Sequence, residues 1–400
     1  MKCLLYAALC CASLGAQSYD LVIQGGHVID PANGIDRVMD VAVSAGKIAR
    51  VAASIPAGGA KKTVNAAGLY VTPGLIDLHT HVYVGGRPAA LFPDDVVLPA
   101  GTTTVVDAGV SGWRTFDDFK TRIIDKSRTR VLAFLNIVGR GMGGPKVENN
   151  VADMDAAATA AKVKQNRDII VGIKTAHFGL PGWDALKRAV EAGRLSDTPV
   201  LVDNHILSGS GRNTRDKVLD IMRPGDMHTH LYNDRQLELL DRASGTVQDY
   251  MLEARKRGVL FDLGHGGGSF LWPVATRAMR QGFLPDTIST DLHPESVLLR
   301  AVDMPNCISK LMALGMTLQD AILRSTANPA RGIHRFPELG TLGEGRVADI
   351  AIFQLQEGVF ALVDSWEKKL LATRRLKCVL TVRAGEIVFD ENGLSMAAWE

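Results

Sequence analysis

The chain has 400 residues, 46% of them hydrophobic and 22% charged, with a formal net charge of +2. That length and apolar content suit one large α/β domain with a smaller companion. Near-balanced charge, with no basic block and no RNP, zinc-finger or helix-turn-helix pattern, argues against nucleic acid as a partner.

Residues 1–16 lie in "MKCLLYAALCCASLGAQS", which has one early Lys, an apolar run and small residues up to Ala16. This is the pattern of a signal peptide cleaved after Ala16, and it implies a secreted or periplasmic product with no membrane attachment after cleavage. The run is too short for a membrane span. Three of the five cysteines fall in this segment, and the remaining pair, Cys307 and Cys378, makes no disulfide framework. Residues 19–70 alternate short apolar runs with turns such as "GG", "PANG" and "SAGK", the pattern of small antiparallel strands. Residues 336–400 repeat it in "GRVADIAIFQL" and "KCVLTVRAGEIVFDENG", so the two ends are expected to form one small β-sandwich.

Between them, 71–335 carries "YVTPGLIDLHTH", "TTTVVDAGV", "RVLAFLNIV", "DIIVGIK", "TPVLVDNH", "GDMHTH", "GVLFDLGH" and "DTISTDLH". These eight apolar runs, separated by helical stretches such as "GWDALKRAVEAG", fit an α/β (β/α)8 TIM barrel. An open doubly wound sheet fits less well, because no GxGxxG follows the first run.

Side chains at the C-terminal ends of barrel strands converge on one mouth. Asp77, His79 and His81 occupy alternate positions at the end of the first run and share a face there. The fourth run ends in Lys174, the fifth in Asp203-Asn204-His205, the sixth in His228-Thr229-His230, and the eighth holds Asp291. Imidazoles, carboxylates and one Lys at a common rim are what a two-metal hydrolytic site requires. His228, one pleat deeper than His230, is read as a packed or supporting histidine rather than a ligand.

"VTPGLIDLHTH" and "TDLH", with the flanking "YDLVIQGGHVIDP" and "LGTLGEGRVADIAIF", resemble the amidohydrolase superfamily over nearly the whole mature chain. "GRVADI", "GDMHTHLYN", "DLGHGGGSF" and "ISTDLH" resemble its amidohydrolase/deacetylase group, whose members are often named dihydroorotase by similarity. The resemblance implies that Lys174 reacts with CO2 to give a carbamate between two divalent metal ions, taken to be zinc. It also implies that His79, His81 and Asp291 serve the more buried ion and His230 the other. The strand-five ligand stays open between Asp203, which the family register favours, and His205, which the chemistry favours. Asp291 is the expected general base and then acid.

Specificity has weaker markers. Tyr83 stands where dihydroorotases carry an Arg for the substrate carboxylate, and Ala176 stands where deacetylase-like relatives often place another. His177, Arg140, Arg212 and His265 are candidates for substrate contact. The expected function is hydrolysis of an amide or ester bond in a carboxylate-bearing small molecule by a deacetylase or deacylase. A cyclic-amide hydrolase of dihydroorotase or dihydropyrimidinase type is the alternative, and a non-catalytic binding protein is the reading from another class. A homo-oligomer fits such relatives, with no stretch that marks the interface.

Overall fold

The structure, a computed structural model, describes residues 19–86, 90–203, 218–234 and 239–399. The signal-peptide segment 1–16 lies outside the described residues, as do His205 and Arg212.

The two chain ends meet in one mixed sheet. Its strands are β1 (Leu21–Asp30), β2 (Ile35–Ser44), β3 (Lys47–Ala52), β4 (Lys62–Asn65) and β5 (Tyr70–Pro73) from the first end. The barrel contributes β6 (Leu75–Thr80), β7 (Thr102–Gly112), β8 (Arg130–Asn136), β9 (Ile170–Thr175), β10 (Val200–Val202), β11 (Met227–His228) and β12 (Leu260–Phe261). The second end returns β13 (Ile350–Val363), β14 (Lys369–Arg383) and β15 (Glu386–Asp390). The eight end strands run in the order β15-β14-β13-β5-β1-β2-β3, with β4 added on β1. The sandwich expected from the two ends is therefore a single hydrogen-bonded sheet. It surrounds a core of Leu21, Ile23, Val41, Val64, Ile350 and Val382 among others. The join is β5, where Val71 pairs with Val28 on one side and Ile352 on the other.

The chain leaves this sheet at Gly74 and enters the barrel with β6. Seven strands, β6 to β12, are parallel and neighbour one another in chain order. The eighth run makes only bridges, Asp262 with Thr287 and Thr80 with Leu292, yet these join β12 back to β6 and close the ring. Leu263 N–H donates to Thr287 O at 3.0 Å and His81 N–H to Leu292 O at 2.9 Å. The run is irregular because its polar side chains are used: Thr290 bonds Asp77, Ser289 bonds Asp262, and Asp291 has a positive φ of 49°. Ile76, Leu78, Val106, Leu132, Phe134, Val171, Leu201 and Met227, drawn from the six strands β6 to β11, cluster with Ala330 and Ile333 as the barrel filling. A second layer, with Val105, Ala133, Ile173 and Val202, packs under the helices. The helix Asp184–Ser196 shows why such segments are helical: its buried residues Ala185, Leu186, Ala189, Ala192 and Gly193 recur on one 3.6-residue stripe. No helix among the described residues is long and apolar enough to cross a membrane.

The sheet is fastened to the barrel floor by Asp349. Its carboxylate lies 2.8 Å from Arg130 Nη1 and 3.1 Å from Arg383 Nη1, and it accepts the Ala384 N–H at 2.8 Å. The carboxylate is 8% exposed, so losing it strands two half-buried guanidinium groups. Asp349→Ala is expected to lower unfolding stability by about 3 kcal/mol, measured as the midpoint shift in urea.

Candidate metal centre

The register of the parallel strands carries six chemistry-bearing side chains to one end. Lys174 is the penultimate residue of β9 and is paired laterally with Asn136 and Leu201. Asp203 follows β10 by one residue and His230 follows β11 by two, while His79 lies in β6 and His81 just after it. Asp291 precedes Leu292, the residue that bridges Thr80.

Lys174 Nζ lies 3.1 Å from Asp203 Oδ2 and 3.2 Å from His79 Nε2, and its side chain is fully buried. Asp203 Oδ1 is 3.1 Å from His230 Nε2. Asp291 Oδ1 is 2.9 Å from His81 Nε2 and 3.4 Å from His79 Nε2. Two ligand-like triads result, His79–Asp203–His230 and His79–His81–Asp291, each with its donor atoms within 4.8 Å of one another. They share His79.

The donor set fits divalent ions in its detail. Thr229 gives its hydroxyl proton to Asp262 Oδ2 at 2.7 Å, so its oxygen accepts from His79 Nδ1–H at 3.0 Å. His230 Nδ1–H donates to Gly264 O at 2.6 Å. Both rings are thereby held with Nε2 turned to the cluster, the orientation in which metal-binding imidazoles are prepared.

Electrostatics follow the same geometry. Burial works against every charged form here, but Asp203 overcomes it at His230 and pushes that imidazole up to about 9. Burial is likewise outweighed at Asp203 by Lys174 and His230, and at Asp291 by His79 and His81, so both carboxyls sit well below their usual range. Burial and the nearby Lys174 hold His79 well below the ordinary imidazole value, in its neutral, ligand-competent form.

The backbone is bent to make this cluster. His230 (φ 63°), Asp291 (φ 49°) and His177 (φ 52°) all occupy the left-handed region, which non-glycine residues seldom adopt. Two glycines permit the close approach. A Cβ on Gly109 would fall 2.6 Å from Lys174 Cβ, and one on Gly266 would collide with the Asp291 carboxylate.

The other sequence candidates scatter. His177 is half-exposed, with Nδ1 2.8 Å from Glu148 Oε2 and Nε2 4.0 Å from Asp203 Oδ2. His228 is buried, with Nδ1 against Thr229 O at 2.8 Å, and joins neither triad. His265 is fully buried, 2.7 Å from Lys310 Nζ and stacked on Phe270. Arg140 is exposed, and its backbone N–H donates to Asp153. Tyr83 is turned into the helix layer, with its hydroxyl on Asp118 and its ring 4.8 Å from Phe119. Sequence reasoning passed over Thr229, Asp262, Glu148 and Lys310. Thr229 was the most accessible of these, standing between two histidines in "HTH".

A parallel β/α barrel that gathers imidazoles and carboxylates at the C-terminal ends of its strands is the architecture of a metal-dependent hydrolase. The sequence matches no family model. It is 31% identical to a deacetylase of Enterococcus faecalis over 376 residues, 92% of this chain and 99% of the relative. Among solved structures it superimposes on an adenine deaminase with a TM-score of 0.85, at 30% identity over 92% of this chain and 99% of that one. A dihydroorotase superimposes with a TM-score of 0.79, at 28% identity and the same coverage. The chain belongs to the amidohydrolase superfamily, in its amidohydrolase/deacetylase group of metal-dependent enzymes.

Thr229→Val keeps the volume near His79 but removes the oxygen that fixes its tautomer. Metal affinity is expected to fall about 10- to 100-fold, read as the ion content retained after dialysis against graded chelator, and the thermal midpoint to fall with it, because buried Asp262 loses one of its three hydroxyl donors.

Proposed function

We propose that this chain is a binuclear deacylase that removes an acyl group, acetyl in the first instance, from the nitrogen or oxygen of a carboxylate-bearing small molecule. The observation that carries the reading is the pair of triads sharing His79, with Lys174 Nζ between Asp203 and His79. His79, His81 and Asp291 would hold one ion, and Asp203 and His230 the other. Among the described residues Asp203 supplies a strand-five group of the kind the family register favours. Imidazole and carboxylate donors suit zinc. A carbamate on Lys174 would turn that buried cation into an oxygen donor beside Asp203. When bound, the ions supply Lewis acidity and lower the pKa of water enough for hydrolysis at neutral pH.

The protein's own part is proton handling and exclusion of water. Asp291, with its carboxyl held well below the usual range, is ionised and takes the proton of the attacking water. It then delivers that proton to the departing oxygen or nitrogen, acting first as base and then as acid. His81, 2.9 Å from Asp291 Oδ1, fixes the direction of that carboxylate. The leader-like composition of 1–16 supports export of the enzyme.

A cyclic-amide hydrolase is the second reading, favoured by the dihydroorotase fold match. Tyr83 tells against it, because its side chain is engaged with Asp118 and Phe119.

Metal-loaded protein is expected to hydrolyse N-acetyl or O-acetyl acids in preference to dihydroorotate in a direct rate assay. The reverse preference would refute the deacylase reading. Lys174→Ala is expected to lose bound metal by elemental analysis together with turnover, and Asp291→Asn to lower kcat by about 10²- to 10⁴-fold.

A further inference from the structure

The chemistry above leaves one buried amine unused. Lys310, on the helix Met304–Ala313, is sealed from solvent. Among the described residues its Nζ makes one hydrogen bond, to His265 Nε2 at 2.7 Å, and no ion pair. The Phe270 ring centre is 5.7 Å away. An amine buried without a carboxylate is unfavourable to keep, so the contact it does make calls for a reason.

That contact fixes an imidazole. His265 is fully buried, and its Nδ1 lies 2.8 Å from Gly266 O. A carbonyl can only accept, so Nδ1 carries the ring proton and Nε2 accepts from the amine. Phe270 stacks on the ring at 4.8 Å with planes 11° apart. Ser365, at the turn between β13 and β14, clamps Phe270 in its turn: its hydroxyl oxygen accepts the Phe270 N–H at 3.1 Å and its own N–H donates to Phe270 O at 2.9 Å.

The held imidazole in turn fixes the backbone beside Asp291. His265 N–H donates to Ser289 O at 3.2 Å and Gly266 N–H to Thr290 O at 2.8 Å, so this turn lies along the eighth run. Gly266, with φ 54°, sits so close to Asp291 Oδ2 that a Cβ there would collide with it. Asp291 directs Oδ1 at His81 and His79. Oδ2 remains to carry the proton, bounded by Gly266 and by His293 Nε2 at 3.9 Å.

We propose that Lys310 and His265 are positioning residues for Asp291: the amine holds the imidazole, the imidazole holds the Gly266 carbonyl, and Gly266 walls in the oxygen that carries the proton. A misplaced proton carrier slows proton transfer without weakening substrate binding. The assignment rests on Asp291 as the base and on no particular acyl group.

The test is a double-mutant cycle on metal-loaded protein, with O-acetyl-lactate and dihydroorotate as probes and crystal structures of each variant. Lys310→Met and His265→Phe are each expected to lower kcat about 10- to 100-fold, with KM and metal content unchanged and Asp291 Oδ2 displaced. The double variant, which leaves no polar group unpaired and so keeps the test open if a single variant fails to fold, is expected to lose no more than either alone. His265→Asn, whose amide can still donate to Gly266 O, is expected to recover part of the rate. Unchanged kcat in Lys310→Met or in the double variant overturns the assignment. So do losses that multiply in the double variant, or loss of metal in step with rate. Wild type that prefers dihydroorotate, or hydrolyses neither probe, refutes the deacylase reading alone; the position of Asp291 in the variant structures then decides, and an unmoved carboxylate overturns the assignment.

Discussion

Before any carbamate forms on it, a lysine amine with no access to water organises this molecule. Lys174 is sealed from solvent, and a buried cation is tolerable only when paired and hydrogen-bonded. Asp203 must therefore come to it at 3.1 Å and His79 at 3.2 Å. Those contacts dictate where β10 and β6 end, because the parallel register seats Leu201 beside Lys174 and leaves Asp203 at the rim. Gly109 is set by the same demand, since its missing Cβ is the space through which the lysine stem rises.

The network that aims the histidines is also the one that closes the barrel. Asp262 accepts hydroxyls from Thr229 at 2.7 Å, Thr287 at 2.6 Å and Ser289 at 2.6 Å. Thr229 orients His79, while Thr287 and Ser289 belong to the irregular eighth run. Asp77 does the same from the other side, taking the Thr290 hydroxyl at 2.5 Å. Burial pushes the Asp77 carboxyl up to about 7, so this joint stands in a dry interior where each hydrogen bond counts for more than it would in water. Ring closure and imidazole orientation are thus one structure, and a substitution in it moves stability and metal affinity together.

How much of this the chain discloses before folding depends on the distance between partners. The barrel is legible because each buried parallel strand is a local apolar run, and the rim is legible because His79, His81, Lys174, Asp203, His230 and Asp291 terminate those runs. The eighth strand reads as regular in "DTISTDLH", yet forms bridges alone, since Ser289, Thr290 and Asp291 serve Asp262, Asp77 and the histidines. Pairings between loops and helices leave no periodic trace. Glu148 is 29 residues from His177 and ends a four-residue helix. Lys310, on the helix Met304–Ala313, pairs with buried His265 in a way that a glycine-rich "GHGGGSF" gives no sign of.

The left-handed backbone at His230, Asp291 and His177 costs on the order of 1–3 kcal/mol at each residue, and the surroundings must compensate for it. They do so through opposed charge and close polar contact: Lys174 and His230 face Asp203, and His79 and His81 lie 3.4 and 2.9 Å from Asp291 Oδ1. The cluster is internally matched before any ion enters, so the barrel folds around its donors without collecting a bare excess of negative charge. An unmatched set of carboxylates at this burial would repel and splay the rim. Matching explains how strained residues keep their positions, and why the Nε2 atoms already converge where a metal ion requires them.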